Sequence, residues 1–129
     1  MELPEDFKIL LAEDNQINQR LAIFIFSQLG LKCDIASDGK EAFEMYQIKG
    51  HDLIFMDMNM PVMDGLESTK LIRAFEKDSG TLHRAIIVAL TGSEPAENKD
   101  KCFEIGMDDF IEKPIRIERL HKYISKLIE

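Results

Sequence analysis

Five residues carry the chemistry this sequence offers: Glu13 and Asp14 side by side, Asp57 after one apolar run, Thr91 after another, and Lys113 before Pro114. Taken singly each has an ordinary explanation. Glu13-Asp14 would complement the positive end of a helix, worth ~0.3–1 kcal/mol, Thr91 would cap the helix after it, and Lys113 would be a solvated loop lysine. Taken together they describe one reaction. Three carboxylates brought to one place repel one another unless a cation joins them. Hard oxygen ligands on a water-accessible rim suit Mg²⁺, which keeps several waters and pairs with phosphate oxygens. Asp57 would then be a nucleophile able to form an acyl phosphate. Lys113 would supply a fixed positive charge and Thr91 a hydroxyl for a phosphoryl oxygen. A carboxylate needs no general base to attack, so the lack of a histidine in the constellation is no obstacle.

For these residues to meet, the chain must place them on one edge. Apolar runs at Phe7 to Ala12, Leu53 to Met56 and Ala85 to Leu90, with weaker ones at Lys32 to Ala36 and Asp109 to Ile111, have the length of strands. Their continuous apolarity suits strands buried on both faces. Between them, Ile17, Leu21, Phe24, Ile25 and Leu29 form one apolar stripe that Gly30 ends, a first helix. Asp38 with Glu41 reads as a capping box opening a second helix, through about Ile48, and a third spans about Gly65 to Phe75. Pro95 suits the first turn of a fourth and Gly106 a left-handed cap after it, with only Ala96, Phe103 and Ile105 as apolar contacts, so this helix should dock weakly. Ile117, Leu120, Ile124, Leu127 and Ile128 make a last helix that should pack firmly. Strands alternating with helices imply a parallel sheet with right-handed crossovers, whose ligands lie outside the carboxyl ends of the strands. Each of the five residues falls at or just beyond such an end.

Composition restricts the remaining readings. The 129 residues fit one domain, 1–129 with a core of about 7–128, and no repeat or linker divides them. No apolar run approaches the ~20 residues of a membrane span, and the acidic start lacks the pattern of a secretory signal, so a cytoplasmic protein without membrane insertion is expected. Lys plus Arg number 16 against 24 Asp plus Glu, a net charge of −8 that disfavours direct nucleic-acid binding. Cys33 and Cys102 stand in no metal-ligand spacing and read as reduced, semi-buried residues. The methionines around Asp57 read as packing, since thioethers select soft metals. His51, His83 and His121 read as surface or helix-end residues, and the Lys99 to Lys101 charges as a solvated helix face.

Four segments in order, Leu11-Ala12-Glu13-Asp14-Asn15, Met56-Asp57-Met58-Asn59-Met60-Pro61-Val62-Met63-Asp64-Gly65, Ala89-Leu90-Thr91-Gly92 and Lys113-Pro114, carry a family likeness over roughly Phe7 to Ile128. The chain resembles the receiver domains of two-component response regulators and hybrid histidine kinases, and Glu13 to Asn18 looks most like receivers attached to, or served by, hybrid kinases. The resemblance implies a flavodoxin-like α/β three-layer sandwich with a parallel sheet of order 2-1-3-4-5. It implies Asp57 as phosphoacceptor, with Mg²⁺ on Asp14 and Asp57 directly, on Glu13 through water and on the Asn59 carbonyl. It also implies Thr91 as switch hydroxyl, Phe110 as aromatic switch, and Lys113 as phosphate-pairing lysine before a cis proline. Asn59 and Ser93 would tune loss of the phosphoryl group. The implied partner is a histidine kinase or histidine phosphotransfer protein, chosen with the help of exposed Asn15, Asn18, Gln19 and the Ile115 loop.

Two positions depart from the commonest family pattern. Gly92 replaces a frequent alanine, which loosens the backbone after the switch hydroxyl. Phe110 stands where many receivers have tyrosine, so no phenolic hydroxyl reports its position. The polar stretch Glu76 to Arg84 is expected to be a surface loop. Two rival readings remain: a receiver-like module that binds partners without phosphorylation, and an aspartyl phosphatase of the haloacid dehalogenase type. The first usually lacks one of the acidic, Thr or Lys residues present here. The second calls for an acidic residue where Asn59 stands. No output domain is evident, so a downstream protein partner or sequence beyond this chain is expected to receive the signal.

Overall fold

Short runs of Ile, Leu, Val and Phe without polar alternation need cover on both faces, and they form the middle of three layers. The structure is a computed structural model that describes residues 3–92 and 96–127. Its elements alternate throughout: β1 (Ile9–Ala12), α1 (Gln16–Gln28), β2 (Asp34–Ala36), α2 (Gly39–Lys49), β3 (Leu53–Asp57), α3 (Gly65–Ser79), β4 (Ile86–Thr91), α4 (Ala96–Ile105), β5 (Asp109–Glu112) and α5 (Ile117–Leu127). The strands are all parallel, in the order β2-β1-β3-β4-β5, the flavodoxin-like arrangement. Strand order reverses at β1 and β3, where an open α/β sheet leaves a crevice. The register aligns the ends there: Ala12 pairs with both Ala36 and Met56, Asp57 with Leu90, and Thr91 with Glu112.

Two apolar layers hold the sheet. Leu10, Ile54, Met56 and Ile87 pack towards α2 and α3 through Tyr46 and Ile72. Leu11, Phe55, Val88 and Leu90 pack towards α1 and α5 through Phe26, Leu120 and Ile124, with the Phe26 and Phe55 rings 5.7 Å apart, edge to face. Three helices start at the carboxyl rim behind capping side chains. Asn15 Oδ1 accepts from the Asn18 amide at 3.0 Å, Asp38 Oδ1 from Glu41 at 2.8 Å and Asp64 Oδ1 from Glu67 at 2.9 Å. Each cap is worth about 1 kcal/mol and fixes the loop that turns over the rim. The expected capping box at Asp38 is half formed, because Glu41 Oε1 accepts from the Ser37 amide rather than from that of Asp38.

Several expectations need correction. The core side of α1 is Ala22, Ile25 and Phe26, while Ile17, Leu21 and Phe24 are exposed. This helix is apolar nearly all round, so periodicity alone does not choose the side that meets the sheet. Helix α3 runs one turn beyond Phe75 to Ser79, and Glu76 is buried rather than in a loop. Its carboxylate accepts from Arg73 Nη1 at 2.8 Å, the Tyr46 hydroxyl at 2.6 Å and the Ala85 amide at 2.8 Å. In α4 the buried anchor is Cys102, whose Sγ lies 3.7 Å from Met58 Sδ, and Phe103 is largely exposed. Gly106 ends that helix at φ 120°, where a Cβ would press on the Arg73 side chain at 2.9 Å. The readings of Ser93, Pro95 and Ile128, and of the Ala96 side chain, lie outside the described residues. His51 is fully buried, its Nε2 2.8 Å from Asp34 Oδ2, not a surface residue. Among the described residues no helix is long and apolar enough to cross a membrane.

Candidate phosphoryl-transfer site

Asp57 is the last residue of β3 and only 2% exposed, because the β3–α3 turn folds back over it. The Gly65 amide donates to the Met58 carbonyl at 3.2 Å, and any Cβ at Gly65 would collide with the Asp57 carbonyl, so glycine is required there. The two oxygens of Asp57 are held differently. Oδ1 accepts from the Asn59 amide at 3.2 Å, and Oδ2 accepts from Lys113 Nζ at 2.7 Å. Lys113 follows β5, its peptide to Pro114 is cis, and its ammonium also lies 3.3 Å from Glu13 Oε1.

Glu13 and Asp14 leave β1 in opposite senses, Glu13 buried and Asp14 exposed. The Glu13 carboxylate accepts from the Asn15 amide at 3.1 Å. Carboxylate oxygens of Glu13, Asp14 and Asp57 all lie within 4.8 Å of one another. One lysine therefore pairs with two of the three carboxylates, and the third, Asp14, is open to water. Burial by itself would lower the Lys113 pKa, but the hydrogen bond and charge of Asp57, then those of Glu13, outweigh it and hold the ammonium above its ordinary value. On the next strand the Thr91 hydroxyl is buried with no hydrogen-bond partner among the described residues. A buried hydroxyl left unpaired costs free energy that an incoming oxygen would recover. The converging carboxylates fit a hard divalent cation with waters in its shell, and the unpaired hydroxyl beside them fits an oxyanion.

The sheet thus brings together Glu13, Asp14, Asp57 and Lys113, with Thr91 on the adjoining strand and Asn59 two residues past Asp57. Phe110 makes its contacts elsewhere. Its ring is half-buried in β5, 6.1 Å from Phe103 of α4, and Lys99 Nζ lies 4.4 Å above it. Lys99 is therefore more than a solvated charge. Met56 and Met58 are buried and Met60 packs against the same core, which is the packing role expected of these methionines. Gln19, expected to be exposed for a partner, is half-buried instead. Its amide donates to the Glu13 carbonyl at 2.6 Å and reaches Ser37 Oγ at 3.5 Å, holding the β1–α1 turn to the β2–α2 turn.

The response regulator receiver domain family model matches residues 9–125. The hybrid signal transduction histidine kinase K of Dictyostelium discoideum is 40% identical over 130 residues, covering 98% of this chain and 11% of that protein. The chain thus spans about a ninth of that relative's length. Among solved structures, the complex of Saccharomyces cerevisiae Ypd1, a histidine phosphotransfer protein, with the receiver domain of Ssk1 matches with a TM-score of 0.85 and 36% identity, covering 93% of this chain and 87% of that one. The receiver domain of the sensor histidine kinase PA1611 from Pseudomonas aeruginosa, with a magnesium ion in its active site cleft, matches with a TM-score of 0.80 and 32% identity, covering 93% and 95%.

Proposed function

The chain belongs to the response regulator receiver domain family of two-component signalling, and on that premise we propose that it accepts a phosphoryl group on Asp57 from the phosphohistidine of a histidine kinase or histidine phosphotransfer protein. The observation that carries this is the rim itself: three converging carboxylates, two of them paired with one lysine, and a buried hydroxyl on the adjoining strand with no partner among the described residues. The Ssk1 receiver bound to Ypd1 supports the partner class, and the magnesium-bound PA1611 receiver supports the ion.

A carboxylate oxygen of Asp57 bonds to phosphorus as the bond to the partner's imidazole nitrogen breaks, leaving an acyl phosphate, and the imidazole leaves neutral because its other nitrogen already carries a proton or the departing nitrogen takes one from water. Asp14, Asp57 and the Asn59 carbonyl, with Glu13 through water, would hold Mg²⁺, which would supply positive charge to the phosphoryl oxygens. Lys113 exchanges its bond to Asp57 for one to the new phosphoryl oxygens. Thr91 donates its free hydroxyl to another. Moving Thr91 makes room into which the Phe110 ring can turn, and α4, β5 and the face of α5 beside them rearrange with it. Attack by water on the phosphorus ends the signal, with Asn59 and Ser93 setting its rate. The chain acts as a signalling receiver that promotes its own phosphotransfer and dephosphorylation, in one cytoplasmic domain over 1–129. The partner would approach over α1, where Ile17, Leu21 and Phe24 are exposed and a slot lined by Leu21, Leu90, Pro114 and Ile115 opens beside Lys113.

Incubation with acetyl phosphate and MgCl₂, read by intact-protein mass spectrometry, tests the reading. One phosphoryl adduct is expected on the wild type and none on Asp57→Asn. No adduct on the wild type would favour the phosphorylation-independent module. Sustained turnover of varied phosphoesters would favour the phosphatase.

A further inference from the structure

Glu13 and Asp14 are joined by one peptide unit, and its direction decides where both carboxylates point. The unit is planar, so its orientation fixes ψ of Glu13 and φ of Asp14 together. The sheet holds one side of the turn, where the Glu13 amide donates to the Ala36 carbonyl at 3.0 Å and extends the β1–β2 pairing by one bond. Beyond that bond the chain leaves the sheet, and the Glu13 carbonyl accepts from the Gln19 side-chain amide at 2.6 Å. A helical side chain leans towards the amino terminus of its own helix, so Gln19 of α1 reaches back over the first turn to this carbonyl. The Gln19 backbone amide donates to the Asn15 carbonyl at 2.9 Å, so its main chain and side chain both end on the acidic turn.

The two carboxylates depend on that turn unequally. The Glu13 carboxylate is also held by the Asn15 amide at 3.1 Å and by Lys113 at 3.3 Å. Among the described residues the Asp14 carboxylate has no hydrogen bond or ion pair, so the backbone alone aims it. The neighbouring turns are tied in as well. Gln19 Nε2 lies 3.5 Å from Ser37 Oγ, at the limit of a hydrogen bond. Two residues on, the Gly39 amide donates to the Met63 carbonyl at 2.9 Å, and Ser68 Oγ donates to the Gly39 carbonyl at 2.7 Å. Hydrogen bonds thus run from the acidic pair across the β2–α2 turn to the β3–α3 turn, which contains Asn59.

We propose that Gln19 is a positioning residue of the cation site: by holding the Glu13–Asp14 peptide in one orientation, it sets how tightly the rim takes Mg²⁺ and how well the rim discriminates against Ca²⁺. This inference rests on the function proposed above. Mg²⁺ demands near-octahedral oxygens at ~2.0–2.1 Å, whereas Ca²⁺ accepts a looser shell at ~2.3–2.6 Å, so freedom at Asp14 costs Mg²⁺ the more. Residues that orient a ligand without touching the ion govern ~10–100-fold of metal affinity, and one hydrogen bond to the backbone between two ligands belongs at the lower end. If Gln19 served only to start α1, its loss would lower stability and weaken both ions alike.

Titration of the metal-free full chain with MgCl₂ and with CaCl₂, read by amide NMR shifts of Asp14, Asn15 and Asn59, tests the proposal. Gln19→Met keeps the stem and removes the donor, and Gln19→Asn keeps an amide one methylene too short to reach. In either variant Mg²⁺ affinity should fall about tenfold and Ca²⁺ affinity less than about threefold. Gln28→Met, at the opposite end of α1, should match the wild type, and Ser37→Ala should lose no more than about twofold because its contact is long. The Asp57 adduct from acetyl phosphate should form more slowly in Gln19→Met at sub-saturating Mg²⁺ and return to within about twofold of the wild-type rate at saturation. Equal losses for the two ions would overturn the proposal, as would a rate that saturating Mg²⁺ does not restore. Wild-type Mg²⁺ affinity in both Gln19 variants would overturn it alone, leaving the proposed function intact. No saturable Mg²⁺ response in the wild type would remove the ion from the proposed function and this inference with it.

Discussion

At the amino-terminal end of the sheet, Arg73 reaches the Gly106 carbonyl at 2.9 Å, Glu76 at 2.8 Å and Asp108 at 2.9 Å. At the carboxyl-terminal end, Lys113 reaches Asp57 at 2.7 Å and Glu13 at 3.3 Å. Both clusters tie helices and loops to the sheet through charged side chains, but only the first is complete. Arg73 and Arg84 balance Glu76 and Asp108, and each of the four carboxylate oxygens there has a donor, with Tyr46 and the Ala85 and Ile87 amides supplying the rest. Among the described residues the rim sets one cation against three carboxylates and leaves the Thr91 hydroxyl unpaired. A network whose bonds and charges close among themselves can only hold the fold. One left short of positive charge and of an acceptor is arranged for something that arrives.

Substitutions on the two sides should separate them. The largest loss is expected from Arg73→Ala, which leaves the buried Glu76 carboxylate without its cation and should cost about 3 kcal/mol in urea unfolding. A cost near zero would mean that the amino-terminal network is not what locks α3 to the turn before β5. Asp57→Asn should act in the other direction, raising metal-free stability by on the order of 1 kcal/mol because it relieves like-charge repulsion. A large destabilisation would show that the rim is itself a structural ion pair and would weaken the contrast.

A smaller effect concerns His51. Burial holds its pKa below the ordinary 6.5, against the hydrogen bond and charge of Asp34, which raise it. For Asp34, burial would raise the pKa, but bonds to His51 and Lys49 outweigh it and hold the carboxylate below its ordinary range. The neutral imidazole therefore donates from Nε2. Because the unfolded chain takes up the His51 proton first, this contribution to stability is complete above pH 6.5 and declines as pH falls from there towards the lower folded value. Urea midpoints between about pH 7.5 and 5 should fall in the wild type and fall less in His51→Gln. Parallel slopes would refute the assignment.

Much of this was legible in the sequence, for a physical reason. Buried parallel strands must be apolar throughout, so β1, β3 and β4 announce themselves, and the polar residues that end them mark the binding edge. What stayed hidden depends on partners distant in the chain. Apolar residues ring α1, so only the packed sheet selects Ala22, Ile25 and Phe26 over Ile17, Leu21 and Phe24. Glu76 is acceptable in the interior because Tyr46 and Ala85 are there to donate, and His51 because of Asp34. Cys102 is of a type usually buried, but how deep it sits in so polar a helix is fixed only where it meets Met58. Gln19 looked like a surface residue because its acceptor is the Glu13 backbone, which has no sequence signature.

The central claim is that the rim is built for an incoming phosphoryl group, and Thr91→Val tests it most directly. Among the described residues this hydroxyl has no bond to lose, so the variant should unfold at the wild-type temperature or slightly above it. The rise in Tm on adding Mg²⁺ with beryllofluoride, a phosphoryl mimic, should be large in the wild type and clearly reduced in Thr91→Val. A variant that loses resting stability yet keeps the full rise would contradict the account.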